Sequence, residues 1–139
     1  VINFGSYQNL RFEVDETNAQ LVEIDPLGAK PSVPIVSQVV NLQAVYGVAA
    51  EGSNVITTWE PAVGTWVAPL DPDLAARVRA VRLAVVTRSP QYEKEMVTGG
   101  TLELWNEGPT ITLSDDARHY RYRVYETTVP LRNVIWSGS

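Results

Sequence analysis

Cysteine is missing from all 139 residues, which excludes disulfides, thiolate metal sites and a cysteine nucleophile together. An oxidising compartment permits disulfides without requiring them, so this absence does not place the chain. Histidine is almost missing as well, with His119 standing alone. A serine triad would have to recruit it, and no Gly-x-Ser-x-Gly turn is present to supply the nucleophile. Flanked by Arg118 and Arg121, and opposite Tyr120 and Tyr122 in an alternating pattern, His119 reads as an exposed strand residue rather than a general base. No apolar run approaches the ~18 residues of a membrane-spanning helix, and nothing resembles a signal peptide. Basic residues are in deficit, with 11 Lys and Arg against 16 Asp and Glu and a net charge of −5. Non-specific attraction to nucleic acid or to an anionic membrane needs the opposite balance. The residue inventory therefore predicts no enzyme, no cofactor and no nucleic-acid partner.

What is present is ordinary globular material, 45% hydrophobic and 19% charged, which predicts one domain over 1–139. Its dominant period is two. Across 40–48 the even positions are apolar while Asn41 and Gln43 point the other way. Across 79–88, Val81, Leu83 and Val85 share a face, with Arg82 and Arg88 opposite. Across 120–127, Tyr120, Tyr122 and Val124 alternate with Arg121 and Arg123. Half-buried antiparallel strands read this way. Weaker strands are predicted at 10–14 and 20–24 around a turn at 15–18, at 55–59, and at 101–105 after the turn-forming Gly99-Gly100. Residues 71–78 read as a short helix, with Asp71 as cap, Pro72 at the first helical position and Asp73 complementing the dipole. Segments 26–34 and 59–72 read as loops, the second a packed surface excursion. The fold class predicted is mainly β, an antiparallel sheet with one short helix.

The paired acids Asp15-Glu16 and Asp115-Asp116, with Asp71 and Asp73, are explained by turn chemistry. Neighbouring strand residues face opposite ways, and no twelve-residue calcium loop is present, although loop carbonyls leave bound calcium open. Trp59, Trp66, Trp105 and Trp136 read as core or loop anchors, Trp66 being the best placed to meet a partner. Arg121 and Arg123 would form a basic stripe with Arg82 and Arg88 if their strands were neighbours. These five residues, Trp66, Arg82, Arg88, Arg121 and Arg123, make up the candidate partner surface.

Three segments together resemble the C-terminal half of the PilW family of type IV pilus assembly proteins. They are 39–48, with its Tyr46-Gly47 pair, the strand 78–89, and 120–133, which closes in Leu131-Arg132-Asn133. Order and spacing agree across 36–136. The resemblance implies a minor pilin with a pilin-like α+β domain, similar to the J-type pseudopilins of type II secretion, which stand as the alternative within the assembly class. A carbohydrate-binding β-domain using Trp66 and Trp105 is the alternative from another class. The implied partners are other minor pilins, the major pilin and a PilY-type tip adhesin. The implied location is the inner membrane and periplasm before assembly and the extracellular pilus after it. The chain departs from the family in lacking the N-terminal helix, its cleavage motif and its fifth-position glutamate, so the resemblance implies a soluble fragment of a membrane-anchored parent. Ile2, Phe4 and Leu10 are expected near that helix. Its removal is expected to uncover an apolar strip on one sheet face and to promote self-association.

Overall fold

The computed structural model describes residues 9–28 and 30–131. Among these residues nine strands run in chain order: β1 (Arg11–Asp15), β2 (Gln20–Ile24), β3 (Val33–Ser37), β4 (Val39–Ala49), β5 (Ile56–Pro61), β6 (Val78–Arg88), β7 (Thr101–Glu103), β8 (Thr110–Thr112) and β9 (Tyr122–Pro130). Among the described residues one α-helix, α1 (Pro72–Ala75), lies between β5 and β6. The strands form a four-stranded sheet in the order β5-β4-β6-β9, a three-stranded sheet β1-β2-β3 and a β7-β8 ribbon, all antiparallel. The mainly-β, antiparallel expectation is met.

Local chemistry explains the joints. The Asp15 carboxylate accepts from the Asn18 backbone N–H at 3.1 Å and from its side-chain Nδ2 at 2.7 Å, closing the β1–β2 turn. Those two bonds, the side-chain one foremost, hold the Asp15 carboxyl below the ordinary aspartate range. Asp71 caps α1 by accepting from the Asp73 N–H at 3.0 Å, with Pro72 at the first helical position. At four residues α1 is shorter than the 71–78 reading, because β6 already claims Val78.

The four-stranded sheet decides which side chains share a side. Directly paired residues project to the same face, and β6 pairs with β9 as Ala84↔Glu126 and Val85↔Tyr125. One face therefore carries Leu42, Ala44, Tyr46, Val81, Leu83, Val85, Tyr125, Thr127 and Val129. The other carries Ala80, Arg82, Ala84, Val86 and Arg88 of β6 beside Tyr122, Val124 and Glu126 of β9. The core lies on this second, inner face. Ala84 and Val86 are both 0% exposed and pack with Leu104, with Val40, Leu102, Trp105, Ile111, Tyr122 and Val124 around them. A bulge between Val39 and Asn41 sets Val40 outside the alternation, so it joins the inner layer instead of following Leu42 and Tyr46.

Several expectations change here. Val81, Leu83 and Val85 do share a face, but the fully buried positions are the alanines and Val86 on the arginine side. β3 lies where 26–34 reads as a loop extending to Pro34, and the short β8 was not foreseen. The last long strand begins at Tyr122 rather than Tyr120, because 117–119 forms a 3₁₀ turn. Gly99 and Gly100 are not in the left-handed region; the positive φ values fall at Gly28, Gly52 and Gly64 and at Ala19, Gln38 and Glu107. Ile2, Phe4, Trp136, Arg132 and Asn133 lie outside the described residues.

Candidate functional site

The inner face of the four-stranded sheet carries a built polar cluster. The Arg82 guanidinium lies 4.1 Å from the centroid of the Trp59 ring and 5.9 Å from that of Trp105. Its Nε is 3.3 Å from Glu126 Oε1, an ion pair rather than an aligned hydrogen bond. Flat cations prefer aromatic faces, and desolvation strengthens that attraction. Each tryptophan depends on a glycine. A Cβ on Gly47 would stand 2.9 Å from both Trp59 Cζ3 and Ile56 Cδ1, and a Cβ on Gly108 would overlap the Trp105 ring. Trp105 is held over Gly108 by a turn in which the Gly108 N–H donates to the Trp105 carbonyl at 2.8 Å.

A second cluster ties the 89–98 segment to the turn before β9. Tyr92 stacks on His119 with centroids 4.7 Å apart and meets Tyr120 edge-on at 5.5 Å. His119 Nδ1 lies 2.9 Å from the Glu93 carbonyl, and Arg121 Nε donates to Glu93 Oε1 at 3.1 Å. Arg88 covers Tyr120 at 4.5 Å. His119 is thus half-buried in an aromatic stack on a 3₁₀ turn rather than exposed on a strand.

Between these clusters a cavity of about 260 Å³ is lined by Val40, Asn41, Val86, Arg88, Leu102 and Tyr122 among others. The Tyr122 hydroxyl donates to the Ala117 carbonyl at 2.9 Å, and burial raises its pKa, opposed by the charge of Arg88. Among the described residues no group of three or more His, Asp and Glu is gathered as a metal site would need, and no helix is long and apolar enough to cross a membrane.

The opposite, outer face is apolar and only partly covered. Leu42, Tyr46, Val81, Leu83 and Val85 stay partly exposed, while Tyr125 is 52% and Val129 45% exposed. Toward one end Val48 and Val78 are buried, and Trp66 meets Tyr46 with ring centroids 6.3 Å apart. Among the described residues the outer face is thus a partly uncovered apolar surface, a feature that commonly marks contact with other protein. The family model for Type IV Pilus-assembly protein W (PilW) matches residues 15–133.

The chain belongs to the PilW family. It therefore belongs to the machinery of type IV pilus assembly, a family of assembly components rather than enzymes. The match runs from the end of β1 through β9, so both faces of the central sheet are PilW sequence. No curated protein and no solved structure matches the chain.

The five candidate surface residues do not gather in one place. β6 and β9 are neighbours, as the basic stripe requires, but their register sends Arg82 and Arg88 to the inner face and Arg123 to the outer one. Arg121 precedes β9 and pairs with Glu93. Trp66 is half-buried against Tyr46 on the outer side, whereas Trp105 covers the inner side, so these two rings do not share a platform. The arrangement missed by sequence is Trp59–Arg82–Trp105 with Glu126. Its available signals were a glycine directly after Tyr46 in an alternating strand and the Trp105/Gly108 spacing. Arg79 was missed as well. It is 8% exposed, and its Nε donates to the Ser53 carbonyl at 3.1 Å and Asn54 Oδ1 at 3.0 Å.

Proposed function

We propose that this chain is the globular, pilin-like α+β part of a minor pilin, and that the outer face of its central sheet is where an N-terminal apolar helix of the parent protein lies. The observation that carries this reading is how the apolar residues are distributed. Among the described residues the largest fully buried side chains are the valines Val39, Val48 and Val86, while on one face Leu42, Leu83 and Val85 stay half-buried and Tyr125 is exposed. A sheet buries its apolar face against another layer, and among the described residues the outer face is covered only toward the end where Trp66 meets Tyr46. A helix with an apolar stripe has the width and chemistry to cover the rest.

In this reading the parent is anchored in the inner membrane, faces the periplasm and passes into the extracellular pilus. Its partners are other minor pilins, the major pilin and a PilY-type tip adhesin. Trp66, Arg121 and Arg123, on or beside the outer side, are the candidate residues within reach of such subunits, whereas Arg82 and Arg88 organise the inner layer. The family match is the reason to place the chain in pilus assembly rather than with the J-type pseudopilins of type II secretion.

The test is complementation of a strain deleted for the gene. Leu83→Glu in the parent protein places a carboxylate in the middle of the outer face. It is expected to leave the isolated domain folded, because Leu83 is only partly buried, and to abolish surface pili. Normal piliation with Leu83→Glu would overturn the helix-docking assignment, and normal piliation of the deletion strain would overturn the assembly role.

A further inference from the structure

β9 is the last strand of the central sheet, and its outer edge meets no other strand among the described residues. Which of its backbone groups point outward follows from the ladder. The Ser89 N–H donates to the Arg121 carbonyl at 2.8 Å just beyond one end of β9, and the Leu131 N–H donates to the Arg79 carbonyl at 2.8 Å just beyond the other. The register between them is unbroken. Odd-numbered residues therefore spend their N–H and C=O groups on β6, and the even-numbered ones, Tyr122, Val124, Glu126 and Thr128, aim theirs away from it. Pro130, also even, carries its missing N–H on that outward side, where it costs no bond to β6.

Such an edge is a template for another strand, and natural edges are usually blunted by lysine, a bulge or a proline in mid-strand. β9 has none of these between Tyr122 and Val129, and its one acid, Glu126, is paired with Arg82. We propose that the β9 edge pairs antiparallel with the β9 edge of a second copy of this chain, across a twofold axis passing beside Tyr125.

The choice of occupant and register rests on self-complementarity. Bonds between the copies must join even residues to even residues. With Tyr125 opposite its own copy, Val124 faces Glu126 and Tyr122 faces Thr128, so every outward N–H within β9 finds a carbonyl. In this register Arg123 faces Thr127, and no like charges are opposed. Sliding by one step so that Glu126 lies on the axis sets two carboxylates opposite each other and puts Tyr122 against the donor-less Pro130. Sliding further, to Thr127 on the axis, sets Val124 against Pro130. With Tyr125 on the axis, the two exposed Tyr125 rings become a directly opposed, non-hydrogen-bonded pair on the outer face, the position where cross-strand aromatic contact is closest. The product is a continuous eight-stranded sheet whose two apolar outer faces lie on the same side.

The chain has no cysteine of its own, so single cysteines report the register directly. Opposed residues of a non-hydrogen-bonded pair have Cα atoms about 4.5 Å apart, within disulfide range. Under mild oxidation Tyr125→Cys is expected to give a disulfide-linked dimer about tenfold faster or more than Arg123→Cys or Thr127→Cys, whose own copies are not opposite. Thr128→Pro removes one outward donor per copy without touching the β6 ladder and is expected to weaken dimerisation in sedimentation equilibrium by about tenfold or more. A chain that stays monomeric at every concentration overturns the inference, and edge amides protected from exchange in that monomer would give the edge to the chain's own terminal residues. A dimer unaffected by Thr128→Pro, or cross-linked no faster at 125 than at 123, overturns it too and points to association through the apolar face. None of these results depends on the piliation phenotype, so this inference and the minor-pilin reading fail separately.

Discussion

Gly47→Ala tests whether the Trp59–Arg82–Trp105 cluster is packed as tightly as its geometry indicates. The added methyl would sit 2.9 Å from Ile56 Cδ1, 2.9 Å from Trp59 Cζ3 and 3.0 Å from Trp59 Cη2. Ordinary contact needs roughly half an ångström or more beyond that, and the Trp59 ring cannot retreat freely because Arg82 lies against it at 4.1 Å. Overpacking of this kind costs about 1–3 kcal/mol. The smaller unfolded-state entropy of alanine returns about 0.5–1 kcal/mol, since Gly47 has no positive φ to defend. The net expectation is a loss of about 1–2 kcal/mol, read in urea as a midpoint lowered by roughly 0.5–1 M. The decisive arm is a double-mutant cycle: with Trp59→Ala already in place, Gly47→Ala should become neutral or mildly stabilising. If Gly47→Ala costs nothing in the parent sequence, or costs the same with Trp59 absent, the close approach of Trp59 to β4 is refuted.

Arg79→Met should destabilise the domain by about 1–3 kcal/mol, because it strips the donor from the Ser53 carbonyl and from Asn54 Oδ1; an unchanged urea midpoint would refute that anchoring role. The Asp15 carboxyl should titrate below 3.8 in the folded chain by NMR. Its contribution to stability is then present above 3.8 and lost as pH falls through the folded value, and Asn18→Ala, which keeps the backbone bond and removes the side-chain one, should raise the titration part of the way back. Tyr122 should ionise above 10.0 by phenolate absorbance, so the stability it adds is complete below 10.0 and lost as pH rises through the folded value. A Tyr122 that ionises at or below 10.0 would contradict its burial against the inner layer.

Period-two alternation located β4, β6 and β9 because their apolar and polar residues take strict turns. What alternation cannot say is which side of a strand is covered. Val81, Leu83 and Val85 carry the stronger apolar signal, yet the β7–β8 ribbon and Leu104 settle on the side of Ala84 and Val86, where arginines are interleaved. Small alanines and a flat guanidinium let a second layer approach closely, and neither registers as core in a hydropathy pattern. The basic stripe failed for a reason of parity. β6 and β9 pair even residues with even and odd with odd, so Arg82 and Arg88 can never share a face with Arg123. β3 was masked by Pro31 and Pro34, and β8 by having only Thr110, Ile111 and Thr112 to show. The aromatic stack of Tyr92, His119 and Tyr120 joins segments more than twenty residues apart, and local patterning carries no information at that range.

The β4–β6 ladder, at the centre of the four-stranded sheet, has a mechanical consequence. Both strands are eleven residues long and their register joins nine residue pairs. Tension applied along the strand direction loads all nine together, so the ladder resists until it slips as one body. Tension applied across the strands would part them one pair at a time, like a seam opened from its end. Under load the domain is therefore strong or weak according to how β4 and β6 lie relative to the line of pull.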